Sequence, residues 1–383
     1  MVPFSHRMRW LSHVRLPGEP GLWRIGLAQE RIASIQPMPP GSAAAGEHWQ
    51  GDWLSPAGID WQINGGLGLA FPELQPSDLP RLLELLELLW RDGVEAISPT
   101  LVTCAVAPLR QALAVLQQAR LQHRSGRCRL LGAHLEGPFL AHGKRGAHPA
   151  EHLAAPSLEA LEARIGGHEA EIALVTLAPE LPGAEAVIAA LRARRILVSL
   201  GHSEASAEQA SRAFEQGVGM LTHSFNAMAG LQHRSPGPIG AAARRGDIAL
   251  GLIADGVHVD PTMAVLLQRL APEQVVLVSD ALAPYGLADG LHRWDERTLI
   301  VEQGSCRLED GTLAGVTLPL LEGVKRLARW SGDPDRAIAA ATVLPRRLLG
   351  GATRVSQQLQ GLPLGETLRW TGPSADLRWS RAA

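Results

Sequence analysis

The sequence predicts an α/β fold: a (β/α)8 TIM-like barrel with a small β-sandwich domain formed from both chain ends. Two observations carry this expectation. Apolar runs of strand length alternate with amphipathic helical stretches eight times within the 383 residues, over the roughly 250 residues that such a barrel needs. The first and last segments share a different texture, short alternating runs broken by Gly and Pro, which suits strands that pair with each other. A doubly wound open sheet is the alternative, but no G-x-G-x-x-G follows the first strand.

Taken in order, residues 1–53 contain "MRWLSHVRL", "GLWRIGLA" and "RIASIQPM", short alternating runs with no helical period, and form the N-terminal part of the small domain. Residues 54–352 form the barrel, with buried strands at 57–64, 95–103, 129–136, 171–177, 196–202, 218–223, 248–254 and 274–280. Helices lie between them, including "SDLPRLLELLELLWRDG" with a cap at Ser77 or Asp78, "PLRQALAVLQQARLQ", "AEAVIAALRARR", "SAEQASRAFEQG" and "PTMAVLLQRLAP". A β-hairpin insertion is expected at 291–315, after the eighth strand, and residues 353–383 complete the small domain.

Composition narrows the function. Lys plus Arg total 36 against 38 Asp plus Glu, a net charge of −2, so no basic surface for nucleic acid is expected and a small molecule is the default partner. Cys104, Cys128 and Cys306 stand far apart with no CxxC pair, which suits a reducing cytoplasm. The N-terminal stretch alternates apolar and basic residues without the apolar core of a signal peptide, and no run reaches membrane-spanning length. The expected location is the cytoplasm.

In such a barrel the reacting groups stand at the carboxyl ends of strands. The third strand, "LLGAHLEGPFL", ends in Glu136, the fifth in His202, the sixth in His223 and the eighth, "VVLVSDALAP", in Asp280. Each alone has an ordinary structural explanation, as a hydrogen-bonded histidine, a loop charge or a cap. Together at one rim, one Glu and two His make an oxygen and nitrogen set suited to zinc or a similar divalent ion. Such an ion lowers the pKa of its water to about 7 and polarises a carbonyl, so amide hydrolysis becomes accessible. Asp280 would accept the water's proton and return it to the leaving amine.

Loops near that rim supply further polar groups: His148 after the third strand, Asn226 and Arg234 after the sixth, Asp255 and His258 after the seventh. An arginine and a histidine there suit an anionic group such as phosphate, to which both donate charge-assisted hydrogen bonds. The first strand poses its own question. In "AGIDWQINGG", Asp60, Gln62 and Asn64 fall on one face, and buried amides are costly unless their donors and acceptors are met.

These motifs, "HLEGPFL", "KRGAHPA", "TLAPE", "GHSEA", "THSFNAM", "IADGVHVD", "VSDALAP" and "GTLAG" in that order, resemble those of N-acetylglucosamine-6-phosphate deacetylases, a branch of the metal-dependent amidohydrolase superfamily. The resemblance implies metal ligands at Glu136, His202 and His223, a catalytic aspartate at Asp280, and a histidine that polarises the acetyl carbonyl at His148. It implies phosphate contacts at Asn226, Ala227, Arg234 and His258, a sugar lining from Ala147 and from Leu313, Ala314 and Gly315, and a homodimer that completes the site. Many amidohydrolases hold a second metal with His-x-His in the first strand; Gln62 and Asn64 occupy those positions here and are weak ligands. One divalent ion per subunit is therefore expected, Zn2+ first and Fe2+ second. The expected activity is hydrolysis of N-acetylglucosamine 6-phosphate to glucosamine 6-phosphate and acetate, with the galactosamine epimer or another amide as the rival substrate. Two departures from the family pattern bear on substrate fit: Val316, with Thr317 next to it, replaces a common Ser, and Tyr285 replaces a smaller residue. A non-catalytic sugar-phosphate sensor would be expected to lose one of Glu136, His202, His223 or Asp280, and all four are present.

Overall fold

The computed structural model describes residues 8–39, 41, 46–294 and 297–383. The chain divides into two compact units, one built from the residues up to Ile59 together with Val324–Ala383, the other from Asp60–Gly323.

The barrel strands follow one another around a single sheet: β1 (Gly58–Ile63), β2 (Val94–Val102), β3 (Ala133–Glu136), β4 (Ile172–Leu177), β5 (Leu197–Leu200), β6 (Met220–Leu221), β7 (Ala249–Leu252) and β8 (Val275–Leu277). From β2 to β8 every neighbouring pair is parallel. The ring closes just beyond β8, where the Asp280 amide donates to the Gln62 carbonyl at 2.9 Å and the Asn64 amide to the Ala281 carbonyl at 2.7 Å. Each strand is followed by its helix: α1 (Leu79–Arg91), α2 (Val106–Leu121), α3 (Leu158–Ile165), α4 (Ala184–Ala193), α5 (Ala207–Glu215), α6 (Gly237–Arg245), α7 (Pro261–Leu270) and α8 (Leu320–Ser331).

Local chemistry explains several boundaries. Helix α1 buries Leu82, Leu85, Leu86 and Leu89, the one-sided stripe of an amphipathic helix. Helix α5 opens with a capping box, in which Ser206 accepts from the Gln209 amide while Gln209 accepts from the Ser206 amide. Asp78 precedes α1 as expected, yet its carboxylate accepts from the Gln75 amide at 2.9 Å and so closes the preceding turn instead of capping the helix. The predicted run at 129–136 is interrupted at Gly132, whose φ of +126° only glycine adopts readily, leaving Arg129–Leu130 and β3 as separate pairings on β2. Several predicted runs overshoot the observed strands, because the polar residues that end them leave the extended conformation.

Inside the barrel, hydroxyls and one imidazole form a chain across neighbouring strands. Thr100 meets His134 Nδ1 at 3.0 Å, His134 Nε2 meets Thr176 at 2.7 Å, Thr176 meets Thr222 at 2.7 Å, and Thr222 meets Ser199 at 2.6 Å. Burial drives the His134 pKa down to about 4, so the ring is neutral and can donate at one nitrogen while accepting at the other. Buried polar groups are thus satisfied in pairs below the ligand rim.

Between β8 and α8 the sequence reading anticipates a hairpin, and the structure has a four-stranded antiparallel sheet: β9 (Gly290–Trp294), β10 (Arg297–Glu302), β11 (Ser305–Leu308) and β12 (Leu313–Val316). Leu299 and Val301 of β10 point inward while Ile300 and Glu302 point out, the period-two pattern of a sheet with one covered face. Its last strand grips the loop that carries Asp280. The Leu282 amide donates to the Val316 carbonyl at 2.9 Å, and a Cβ added to Gly315 would lie 3.0 Å from the Asp280 carbonyl oxygen and 2.7 Å from Leu282 Cγ. Gly315→Ala should therefore cost roughly 1–3 kcal/mol of overpacking, read as a lowered thermal unfolding midpoint.

The other unit is organised around a seven-stranded sheet that interleaves both chain ends. Arg378–Arg381, Leu368–Thr371, Trp53–Ser55, Arg9–Leu16, Glu19–Ala28 and Arg31–Met38 lie side by side in that order, with Glu47–His48 paired to Arg9–Leu16. Trp370 stands opposite Trp53 and is fully buried. The helix Pro334–Thr342, inside the 54–352 range assigned to the barrel from sequence, packs on Trp53–Ser55 within this unit. Its run "AIAAAT" is buried on every side, and its four alanines let the helix lie close to its neighbours.

Candidate active site

The C-terminal rim of the barrel gathers the predicted ligands. Glu136 ends β3; His202, His223 and Asp280 lie two or three residues beyond β5, β6 and β8. All four are buried. His202, His223 and Asp280 have φ values of +50°, +29° and +50°, a left-handed conformation that side chains other than glycine rarely adopt. Neighbouring backbone bonds hold them in it: Ala141 donates to the His202 carbonyl at 2.9 Å, Ser224 to Gly251 at 2.7 Å, and Asp280 to Gln62 at 2.9 Å. Strain of this kind persists only where the surroundings over-determine it, and it gathers at functional sites.

The donor atoms converge. Glu136 Oε1 lies 3.1 Å from both His202 Nε2 and His223 Nε2, and the two Nε2 atoms lie 3.0 Å apart. Ligands about 2.0–2.1 Å from a tetrahedral ion stand roughly 3.3 Å from one another, so the triangle is close to that size. His202 Nδ1 lies 2.8 Å from the Lys144 carbonyl, which only accepts, so Nδ1 carries the proton and Nε2 presents a lone pair. A lone pair facing a carboxylate oxygen is repulsive unless a cation or a proton joins them. The residues therefore fit a divalent metal.

The electrostatics agree. Burial pushes the Glu136 carboxyl up, but the hydrogen bonds and charges of His202 and His223 outweigh it and hold Glu136 well below the usual carboxylate range. Burial also opposes charge on His223, and its bond to Glu136 reverses this, raising the imidazole above its usual range. Asp280 is raised, first by burial and then by the negative charge of Glu136.

His148 approaches from the loop after β3, with Nε2 4.0 Å from Glu136 Oε2 and its ring edge-on to His202. Glu136, His148 and His202 thus form a second possible grouping of metal donors. His148 Nδ1 faces Thr103 twice, 3.3 Å from the backbone amide, which donates, and 2.9 Å from Oγ1, whose hydrogen goes to the Glu136 carbonyl at 3.0 Å, so either tautomer of the ring finds a partner there. Burial drives the His148 pKa down to about 3, so the ring is neutral. The distances favour His223 as the third ligand, since its Nε2 is 3.1 Å from Glu136 and 3.0 Å from His202, whereas His148 Nε2 is 4.0 Å from Glu136.

The amides of the first strand also face the site. Gln62 Nε2 donates to Glu136 Oε1 at 3.2 Å and to Asp280 Oδ1 at 3.1 Å, while Asn64 Nδ2 donates to Asp280 Oδ1 at 2.7 Å. Carboxylates only accept, so each amide turns its NH2 toward the rim. Asp60 lies deeper, accepting from the Ser279 amide at 3.1 Å and the Gln62 amide at 3.2 Å, and burial raises its pKa to about 7.

A cavity of about 410 Å³ opens above these groups. Asn64, Ala147, Asn226, Ala227, His258, Leu313 and Ala314 line it. His258 Nδ1 bonds Asp255 at 2.7 Å; burial opposes the Asp255 charge, but that bond keeps the carboxyl low and the imidazole oriented. Three predicted positions fall elsewhere. Arg234 is exposed on the loop between β6 and α6, outside this cavity. Gly315 packs behind Leu282 rather than against the opening. Tyr285 is buried and bonds Asp92 on the side of α1, so its size fills the protein interior and not the substrate space. Val316 meets the Asp280 loop through its backbone, which any residue could supply, and the Thr317 amide is used by the Gly304 carbonyl at 2.9 Å.

Sequence reasoning missed Thr103, Cys104, Trp294 and Arg297, which also line the cavity. Thr103 lies one residue beyond β2 and the strand-end rule could have found it; Trp294 and Arg297 lie on the insertion, where no periodicity marks them.

No protein-family model matches the chain. It is 34% identical over 329 residues to an N-acetylgalactosamine-6-phosphate deacetylase of Escherichia coli O157:H7, covering 85% of each chain. It is also 34% identical over 324 residues to the N-acetylglucosamine-6-phosphate deacetylase of Vibrio furnissii, covering 84% of this chain and 79% of that one. Its fold matches a Mycobacterium smegmatis N-acetyl-D-glucosamine-6-phosphate deacetylase variant, solved in complex with N-acetyl-D-glucosamine-6-phosphate, with a TM-score of 0.80 and 25% identity over 97% of this chain and 99% of that one. With this identity along most of its length and a Glu-His-His donor set at the rim of its barrel, the chain belongs to the N-acetylglucosamine-6-phosphate deacetylase family of amidohydrolases.

Proposed function

We propose that the protein hydrolyses the acetamide of N-acetyl-D-glucosamine 6-phosphate to D-glucosamine 6-phosphate and acetate. The observation that carries this is the convergence of Glu136, His202, His223 and Asp280 beneath one cavity whose wall includes His258 and Asn226. Glu136, His202 and His223 would hold one divalent ion per subunit, Zn2+ first and Fe2+ second. When bound, the ion supplies Lewis acidity for the acetyl carbonyl and for a water. The NH2 groups of Gln62 and Asn64 support a single ion, because an amide nitrogen offers a cation no lone pair.

The chain's own residues do the rest. Both amide bonds to Asp280 fall on Oδ1, which fixes the carboxylate and leaves Oδ2 to take a proton and return it to the amine. In the tautomer that carries its proton on Nε2, the neutral His148 ring donates to the carbonyl oxygen as charge builds there. His258, oriented by Asp255, binds the phosphate with Asn226 and Ala227, and Ala147, Leu313 and Ala314 flank the sugar.

Arg234 lies outside its own cavity, so we place its phosphate contact in a neighbouring copy within a homodimer. Arg234→Ala is then expected to raise KM for the phosphosugar by roughly tenfold or more, with metal content unchanged. Cys104, Cys128 and Cys306 form no disulfide, and among the described residues no helix is long and apolar enough to cross a membrane; unbridged thiols support a cytoplasmic location.

Acetate release from the phosphosugar, with and without chelator and with unphosphorylated N-acetylglucosamine alongside, tests the proposal. Release that is sensitive to chelator and specific to the phosphate is expected, and none from metal-replete protein would overturn it. The galactosamine epimer is the second reading, favoured by the 34% identity to the Escherichia coli enzyme, and belongs in the same panel.

A further inference from the structure

We propose that Arg297, on the insertion sheet, is a positioning residue for His148. The inference rests on the reading of His148 as the donor to the acetyl carbonyl.

His148 sits between two short turns, His142–Lys144 and Ala150–His152, outside any strand ladder. Its amide bonds the Arg145 carbonyl at 3.1 Å, and its ring is held at Nδ1 by Thr103. The orientation of the peptide that enters it depends on what the Ala147 carbonyl meets. That carbonyl accepts from Arg297 Nη1 at 3.0 Å, across 150 residues of sequence. A bond from a charged donor is stronger than one between neutral groups, and the planar guanidinium delivers it in a fixed direction.

Arg297 is itself held. Its guanidinium lies 4.3 Å over the ring of Trp294, which is buried in a cluster with Leu282, Leu299, Val301 and Cys306. Ala147 and Ala314 pack against the same cluster. The stacked pair Trp294 and Arg297 therefore braces the His148 peptide from the insertion, while Thr103 braces its ring from β2. With one brace gone, the ring would tilt about the other and carry Nε2 away from the carbonyl it serves. Displacements near 1 Å can cost about 100-fold in rate.

The test measures kcat, KM for N-acetylglucosamine 6-phosphate, and metal content in wild type, Arg297→Met, Arg297→Lys, His148→Asn and the Arg297→Met/His148→Asn double variant. Arg297→Met should lower kcat roughly 10- to 100-fold, with metal content unchanged and KM within about threefold. Arg297→Lys, which keeps a charged donor, should recover much of that loss. In the His148→Asn background the Arg297→Met change should add little, because the two act on one event. A full multiplicative effect in that background, an effect on KM alone, or a well-folded Arg297→Lys without recovery would each overturn the proposal. A wild-type kcat in His148→Asn would instead show that the reading of His148 is wrong, and the proposal would fall with it.

Discussion

Asp280→Asn should lower kcat by roughly three orders of magnitude while metal content stays near that of wild type. Asparagine keeps an oxygen where Asp280 Oδ1 accepts from Gln62 and Asn64, so the local packing has no reason to change. What it loses is a basic oxygen, and an amide cannot carry a proton from nucleophile to leaving group at neutral pH. Elemental analysis beside steady-state kinetics separates the roles. Loss of the metal in this variant would mean that Asp280 is chiefly a ligand.

Glu136→Gln is expected to be as severe for a different reason. Glu136 is the only anion in the proposed ligand set, and it holds two imidazole nitrogens at 3.1 Å around one oxygen. A neutral amide supplies no charge to offset a divalent cation, and its NH2 group can turn the wrong end toward it. Metal affinity should fall by more than the roughly 10- to 100-fold that follows from losing an outer-sphere partner. Activity should return in part at high added metal, as a titration would show. Purified Glu136→Gln protein with a full complement of metal would show that Glu136 is not the anion that holds the ion.

Much of this site was legible in the sequence because barrel geometry turns strand ends into addresses. Glu136, His202, His223 and Asp280 close four apolar runs, and the structure brings them to one rim. The apolar period could not show that His202, His223 and Asp280 leave their strands in a left-handed conformation, since φ is set by neighbours on other strands. Nor could it orient Gln62 and Asn64; their NH2 groups face the rim because the partners on β3 and beyond β8 are carboxylates. Arg234 was placed at the phosphate from its charge and its rim loop as well as from motif order, and its side chain is exposed away from its own cavity. The insertion was least legible. Its four strands are short, and its inner face is completed by Ala70 and Ala147 from distant parts of the chain.

The bonds that shut the barrel between β1 and β8 run through Gln62, Asn64, Asp280 and Ala281, so the closing joint and the floor of the site are the same few residues. Fraying at that joint would dismantle the acid–base apparatus while the rest of the ring stayed wound. The same two backbone bonds thus complete the ring and set where Asp280 and the first-strand amides stand, so barrel closure and site geometry are one property of this fold.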